Sequence, residues 1–230
     1  MNTQTFGLQF FNILLQSDLL TKAIFIILAC FSIYSWAIII DKFFKFRLLA
    51  AKTLKFEKIF WSGDMLEDIY QKVKNTNKCP SVMVFASAMQ EWTNSNVQEI
   101  IKNKDTERKN SLKDRLFDVM TVAVNRSLKK IKSGTTFLLI AATTSTFFGL
   151  LGTVWGVSQS FKAISIMKDA SLMTIAPGIS AALSTTIVGL LAAIPALIAY
   201  HIISNKIASY EDEINDFVLE VLSVLSRELD

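Results

Sequence analysis

Hydroxyl-bearing and small side chains are concentrated in two uncharged stretches of the sequence. They are the residues of this chain whose types best suit a functional site. The first stretch carries Thr143-Thr144-Ser145-Thr146, followed by GLLGTVWG from Gly149 to Gly156. The second carries Pro177, Gly178, Ser180, Ser184, Thr185, Thr186, Gly189 and Pro195. Hydroxyls in hydrocarbon must find hydrogen-bond partners, and a row of them can line a narrow hydrated path.

The same small residues also suit close helix packing. Gly152 and Gly156 form a GxxxG pair, and Ser145 and Gly149 extend that face, so that two backbones can approach each other in lipid. Gly178 and Gly189 have the same capacity in the other stretch. Packing accounts for the small residues, whereas the number of hydroxyls exceeds what packing requires, so both interpretations stay open.

The two prolines of the second stretch have structural explanations. Pro177 fits the first turn of a helix, where its missing N–H costs nothing. Pro195 falls inside the helix and predicts a kink, with neighbouring spans or hydroxyls satisfying the freed carbonyl.

The low content of charged residues indicates which elements position these hydroxyl and small residues. The 230 residues are 51% hydrophobic and 19% charged, with a mean hydropathy of +0.39, against about 25% charged residues in a soluble domain. Three stretches lack Asp, Glu, Lys and Arg: Ala23–Ile40, Ser133–Phe161 and Ala170–Asn205. Each is about as long as a bilayer-spanning helix requires. The sequence predicts an all-α integral membrane protein with three transmembrane helices, at 23–40, 133–161 and 175–205.

These spans contain no Asp, Glu, Lys or Arg, and residues that could bind a metal are scarce in the whole sequence. His201 is the only histidine, and Cys30 and Cys79 form neither a CxxC pair nor a sensible disulfide. The sequence has no HExxH, GxSxG or phosphate-binding loop. We expect no enzyme, no metal and no cofactor. Since proton relays in membranes usually use acids, a proton path here would need its acid from another chain.

The basic residues predict the topology. The segment 41–132 holds 19 of the 24 Lys and Arg residues against 11 acids, which gives a local balance of +8. Positive loops stay cytoplasmic, so the N-terminus is expected outside, the C-terminus inside and 162–174 as an exterior loop. Because acids are interleaved with the bases, and membrane orientation explains the flanking clusters, nucleic-acid binding is not expected.

The segments outside the lipid are also predicted to be helical. Segment 41–132 forms a helical cytoplasmic domain with a turn at Trp61–Asp64, and a helix near 108–131 continues into the second span after Ser133-Gly134. Apolar residues at helical spacing continue the third span through 206–230, and such a stripe requires a packing partner. The N-terminal segment 1–22 is predicted to lie at the outer interface.

Two runs in these spans resemble the TolQ, ExbB and MotA family of proton-driven stator subunits. GLLGTVWG and APGISAALSTTIVGLLAAIPALIAYH from Ala176 are similar to the family's second and third spans, and the similarity covers almost the whole chain. FSIYSWAIIIDK from Phe31 and FWSGDMLEDIY from Phe60 resemble the TolQ branch.

The resemblance implies a bacterial inner-membrane homo-oligomer, a pentamer in the family, around the membrane helices of a TolR-like dimer. There the partner's membrane aspartate carries protons, and the proton-motive force drives TolA, supporting outer-membrane integrity and cell division. The two threonines that line the family's path correspond to Thr144 and Thr186, with Ser180, Ser184 and Thr185 as further hydroxyls.

Two positions depart from the family pattern. A glutamate common in the third span corresponds to Ala181, and a proline before GLLG corresponds to Thr146. Without this carboxylate there are two alternatives. Either the partner's acid is the only proton carrier, or the chain is a membrane scaffold that moves no ions. An ExbB-like role in nutrient uptake is the other alternative.

Overall fold

The computed structural model of the chain describes residues 18–74, 79–95, 97, 101 and 106–229. Within these ranges the regular elements are α-helices: α1 (Leu19–Phe60), α2 (Leu66–Lys74), α3 (Pro80–Asn94), α4 (Thr106–Lys132), α5 (Thr135–Met167) and α6 (Leu172–Leu229). Most of the N-terminal segment that was predicted to lie at the membrane interface falls outside the described residues.

Three helical stretches are long and apolar enough to cross a membrane. They are α1, the stretch Thr106–Met167 that contains α4 and α5, and α6. The prediction of an all-α protein with three spanning helices is confirmed. The third of these helices is continuous over 58 residues, as the apolar spacing after the third uncharged stretch predicts.

The chain divides into two compact units, of which the first contains the uncharged stretches. Its described residues are 18–41 and 134–202. Phe31 of α1 packs edge-on against Phe137 and Phe148 of α5, with ring centroids 5.9 and 6.3 Å apart. Tyr34 adds a second edge-on contact to Phe137 at 4.5 Å. Aromatic edge contacts of this kind hold α1 along one side of α5.

Two residues, Ser133 and Gly134, separate α4 from α5. Gly134 has φ +82°, in the left-handed region that L side chains rarely adopt. A Cβ built at this position would meet Ile38 only at ordinary distances of 3.9 Å or more. Backbone conformation, and not lack of space, therefore makes glycine the suitable residue here.

The connection between α5 and α6 is shorter than predicted. Only 168–171 lie outside helix, whereas the sequence predicts a loop over 162–174. The Asp169 carboxylate accepts hydrogen bonds from the backbone N–H of Ser171 at 2.9 Å and from its Oγ at 2.6 Å, and these bonds lower the pKa of Asp169. This turn starts α6 at Leu172. Pro177 is therefore the sixth residue of α6, and its predicted place in the first turn is wrong.

The described residues of the second unit, 42–74, 79–95, 97, 101, 106–133 and 203–229, have their own apolar core. Phe217 of α6 contacts Phe56 and Phe60 of α1, with ring centroids 5.6 and 5.2 Å apart, and Phe60 contacts Phe85 of α3 at 5.6 Å. The helical stripe of α6 after the third span thus finds its packing partners within this unit. The predicted turn at Trp61–Asp64 is confirmed: α1 ends at Phe60 and Gly63 has φ +83°.

One buried polar pair lies in the second unit. Tyr210 Oη and Thr53 Oγ1 are 3.2 Å apart and share a hydrogen bond, and both residues are at least nine-tenths buried. Burial raises the pKa of Tyr210 to about 12, since the phenolate would lose its hydration. The phenol therefore stays protonated at physiological pH.

Candidate functional site

Helices α5 and α6 meet along a seam of small residues in the first unit. A Cβ at Gly149 would lie 3.2 Å from the Cα of Thr186, and one at Gly189 would lie 2.9 Å from the Cα of Gly149. A Cβ at Gly156 would lie 2.6 Å from that of Ala182. The distances at Gly189 and Gly156 are shorter than real Cβ atoms show, and the distance at Gly149 is shorter than most of them show. The two backbones therefore pack against each other with little space for larger residues.

The contacts along the seam fix an antiparallel register. Moving along α5 from Ser145 through Gly149 and Gly152 to Gly156, the neighbours on α6 run backwards from Gly189 through Thr186, Thr185 and Ala182 to Gly178. At the far end, Ser160 Oγ donates to the carbonyl oxygens of Gly156 at 3.1 Å and of Ile175 at 3.3 Å. The packing role predicted for Gly149, Gly152, Gly156, Gly178 and Gly189 agrees with these contacts.

Three polar groups meet at the middle of this seam. Thr186 Oγ1 donates to the carbonyl oxygen of Gly149 at 3.0 Å and lies in hydrogen-bond contact with Thr153 Oγ1. Thr153 Oγ1 in turn donates to the same carbonyl at 3.2 Å. Each hydroxyl has one proton to donate, so the group can exchange donors by simple rotation of the hydroxyls. We call Thr153, Thr186 and the Gly149 carbonyl the hydroxyl cluster.

Thr153 is the member of the hydroxyl cluster that the sequence analysis does not single out. It stands in the GLLGTVWG run, directly after Gly152, but the run was interpreted as a packing motif. The signal in the sequence is a hydroxyl residue next to the GxxxG face. In the structure this residue is half-buried.

Thr144 lies apart from the hydroxyl cluster. It precedes Thr153 by nine residues, which is about two and a half helical turns, so the two side chains leave α5 on opposite sides. Phe148, one turn after Thr144, packs against Phe31 of α1. Within one chain, the two threonines that the resemblance assigns to a path, Thr144 and Thr186, are not brought together.

The remaining predicted hydroxyls occupy two different faces of α6. Thr185 is fully buried under Gly152, and its Oγ1 donates to the Ala182 carbonyl of its own helix at 2.6 Å. Ser180 is exposed, Ser184 is half-buried, and Ser184 Oγ donates to the Ser180 carbonyl at 2.8 Å. Ser180 and Ser184 therefore lie on the face away from the seam.

A further buried hydroxyl adjoins the seam. Ser145 is completely buried, and among the described residues its Oγ makes no hydrogen bond within the chain. Buried hydroxyls are nearly always hydrogen-bonded. Ser145 is the residue next to Thr144 and packs against Gly189, so this donor lies at one end of the glycine contacts.

The charges nearest to the spans lie at their ends. Asp18, before α1, accepts a hydrogen bond from Trp155 Nε1 at 3.1 Å. Ala181, the position of the family glutamate, is half-buried on α6. The hydroxyl cluster can therefore donate and accept hydrogen bonds along a proton path. None of its residues carries an acidic or basic group that would bind a proton at neutral pH.

Comparison with known proteins agrees with this architecture. Residues 81–216 match the family model described as the MotA/TolQ/ExbB proton channel family. The Tol-Pal system protein TolQ of Haemophilus influenzae is 31% identical over 226 residues, which cover 97% of this chain and 96% of the relative. The chain belongs to the MotA/TolQ/ExbB proton channel family.

Other members of the MotA/TolQ/ExbB family are similar over nearly the same length. TolQ of Pseudomonas aeruginosa is 28% identical over 95% of this chain and 93% of its own. The biopolymer transport protein ExbB of Pseudomonas putida is 32% identical over 94% of this chain and 63% of its own. The family is one of proton channels and not a class of enzymes, and with three spanning helices the chain is a multi-pass inner-membrane protein.

Proposed function

We propose that this chain is the channel subunit of a Tol-Pal complex that uses the proton-motive force to drive TolA. Its identity to two TolQ proteins over more than nine-tenths of every chain involved supports this proposal most directly. In the proposed complex, identical subunits, five by family expectation, surround the membrane helices of a TolR-like partner. The complex supports outer-membrane integrity and cell division.

The partner supplies the acid in this mechanism. The three spans contain no Asp, Glu, Lys or Arg, and an intramembrane acid is the usual proton carrier. The hydroxyl cluster then serves the passing proton by offering donors and acceptors that reorient without moving the backbone. We propose Thr186 as the principal path residue, with Thr144, Ser180 and Ser184 lining the path beyond the seam and Thr185 acting in packing.

The proposed topology has the N-terminus in the periplasm and the C-terminus in the cytoplasm. It rests on the excess of Lys and Arg over 41–132, because positively charged flanks remain on the cytoplasmic side. Spans at 23–40, 133–161 and 175–205 are consistent with the three apolar helices.

The test is proton flux through the reconstituted complex with its partner, together with envelope function in cells. Thr186→Ala is expected to abolish flux and envelope function while the complex still co-purifies, whereas Thr186→Ser, which keeps the hydroxyl, retains both. Thr144→Ala is expected to lose function as well. Thr143→Ala is the matched control, because Thr143 is exposed and its hydroxyl donates to Leu139 of its own helix at 3.0 Å. Full function of both Thr144→Ala and Thr186→Ala would refute the hydroxyl path.

An ExbB-like role in energising nutrient uptake is the second candidate. The P. putida ExbB protein is 32% identical over 218 residues of this chain. Identification of the partner that co-purifies with the chain separates the two roles. A third candidate, a scaffold that moves no ions, is favoured by Ala181 in place of the family glutamate, and potential-independent behaviour of the reconstituted complex would support it.

A further inference from the structure

Asp18, the residue before α1, brings a carboxylate into contact with α5. Its Oδ2 accepts a hydrogen bond from Trp155 Nε1 at 3.1 Å, across 137 positions of the chain. Its backbone carbonyl oxygen accepts a hydrogen bond from the N–H of Lys22 at 3.0 Å, so Asp18 stands where α1 begins. The side chain of Asp18 therefore ties the start of one spanning helix to a second spanning helix in the first unit.

The contact with Asp18 lies on the same face of α5 as the aromatic contacts with α1. Phe31 and Tyr34 pack against Phe137, and Phe31 also packs against Phe148. Phe137, Phe148 and Trp155 are 11 and 7 residues apart, so at about 100° per residue their side chains leave α5 within about 20° of one another. Packed rings tolerate small rotations, whereas a hydrogen bond requires both a distance and an angle. The Asp18 contact therefore restrains the rotation of α5 more narrowly than the ring contacts do.

The hydroxyl cluster lies on the opposite side of α5. Thr153 precedes Trp155 by two residues, which turns the two side chains about 160° apart. Thr153 Oγ1 contacts Thr186 Oγ1, and the two hydroxyls donate to the Gly149 carbonyl oxygen at 3.2 and 3.0 Å. Rotation of α5 by about 20° would move its Cα atoms by about 0.8 Å, and the side-chain atoms by more. Because hydrogen bonds are lost beyond about 3.5 Å, such a rotation separates Thr186 from its two partners on α5.

We propose that Asp18 is a positioning residue for the hydroxyl cluster. By holding Trp155, its carboxylate sets the rotation of α5 at which Thr153 meets Thr186. A carboxylate suits this role because its hydrogen bond to an indole N–H is charge-assisted. The effect on proton flux rests on the proposed function, whereas the restraint on α5 does not. Asp18 acts through Trp155 and not as a carrier of protons.

The experiment compares proton flux through four complexes, each reconstituted from the full chain and its partner: wild type, Asp18→Ala, Trp155→Phe and the double variant. Each single substitution removes one side of the hydrogen bond, and flux is expected to fall about tenfold or more in both, since small misplacements at a reacting site have large effects on rate. The double variant is expected to fall no further than either single one, because both changes remove the same contact. Multiplied losses in the double variant would show that the two residues act separately and would overturn the proposal.

Asp18→Asn separates positioning from charge. The asparagine carbonyl oxygen accepts the indole N–H at the same side-chain length, so this variant is expected to retain most of the wild-type flux. Flux as low as in Asp18→Ala would assign the effect to the negative charge and would contradict a positioning role. The matched controls are Asp216→Ala, at an exposed acid of the second unit, and Trp36→Phe, at a tryptophan of α1 that is 51% exposed. Both controls are expected to conduct as wild type does, and losses equal to those of Asp18→Ala and Trp155→Phe would overturn the proposal.

Amide hydrogen exchange over 149–161 tests the restraint on α5 without reference to proton flux. Exchange is expected to be faster in Asp18→Ala and Trp155→Phe than in wild type, because the helix loses a contact that holds it, and unchanged in Asp18→Asn. Equal exchange in all of these proteins would overturn the proposal even if flux fell. If exchange changes as expected while the wild-type complex carries no protons, the proposed function fails and the restraint of α5 by Asp18 is retained.

Discussion

Glycine is required at position 152 because the side chain of Thr185 already fills the space that a Cβ would take. The three atoms nearest to that Cβ all belong to Thr185, with the Thr185 Cβ at 2.6 Å. Overpacking of this kind typically costs about 1 to 3 kcal/mol.

Gly152→Ala is therefore expected to lower the free energy of unfolding by about 1 to 3 kcal/mol. Thr185→Gly in the same chain removes the clashing atoms, so the double variant should be more stable than the sum of the single effects predicts. Unfolding of the four proteins in detergent, followed by circular dichroism, measures this coupling. Additive effects would show that the two positions are not in contact.

Tyr210 makes stability depend on pH in the alkaline range. The phenol ionises near pH 10 in the unfolded chain and near pH 12 in the folded protein, because burial disfavours the phenolate. The unfolded state loses its proton first, so the contribution of Tyr210 is complete below about pH 10 and is lost as the pH rises towards 12.

The variant Tyr210→Phe isolates this effect. At pH 8 it is expected to be less stable than wild type by about 1 to 3 kcal/mol, because the buried Thr53 hydroxyl loses its hydrogen bond to the phenol. The gap should narrow between pH 10 and pH 12 in thermal unfolding scans. Parallel curves for the two proteins over that interval would mean that Tyr210 does not titrate as the structure requires. Thr53→Val with Tyr210→Phe is the control that removes both polar groups.

At the scale of the elements, the aromatic contacts of α6 hold the second unit together. Phe217 is 7% exposed, and it contacts two phenylalanines of α1. Phe117 of α4 carries the same side chain in the same unit but is 43% exposed. The two residues form a matched pair for measuring the contribution of burial.

Phe217→Ala is expected to cost about 3 to 5 kcal/mol, by loss of buried area and creation of a cavity. Phe117→Ala should cost about 1 kcal/mol or less. Thermal unfolding together with amide hydrogen exchange over 42–133 and 203–229 provides the comparison. Similar small effects of both substitutions would indicate that the aromatic contacts contribute little.

The elements were predictable from the sequence wherever one physical signal dominates. Absence of charge defines the three spanning helices, and Gly63 and Gly134 mark breaks that the structure contains. The contact between Thr153 and Thr186 was not predictable, because it depends on the register of two helices and not on spacing within either one. The start of α6 was misplaced because the Asp169 turn, and not Pro177, begins the helix.

At the scale of the whole molecule, topology can be tested with single cysteines. Exposed Cys30 is first replaced by alanine, while Cys79 can remain because it is 1% exposed and burial raises the pKa of its thiol. Ala170→Cys lies in the turn before α6 and Ser62→Cys in the turn after α1, and both positions are exposed.

A membrane-impermeant maleimide is expected to label Ala170→Cys in intact spheroplasts and Ser62→Cys only after lysis. The reason is that the segment containing Ser62 carries the excess of positive charge. Labelling in the opposite order would reverse the proposed orientation, and lysed membranes provide the control that both thiols react.

The glycine seam also has a consequence for how the gene tolerates variation. Any missense change in the codons for Gly149, Gly152 or Gly156 adds at least a Cβ. At Gly152 and Gly156 this Cβ would have a neighbour closer than real Cβ atoms show, and at Gly149 the nearest neighbour, at 3.2 Å, would be tighter than most Cβ contacts. Leu150, Leu151 and Val154, between them, are exposed on the same helix and accept other apolar residues without such a clash. In a saturation mutagenesis library selected for assembly, the surviving substitutions along this stretch should therefore alternate between abundant and nearly absent with the period of the helix.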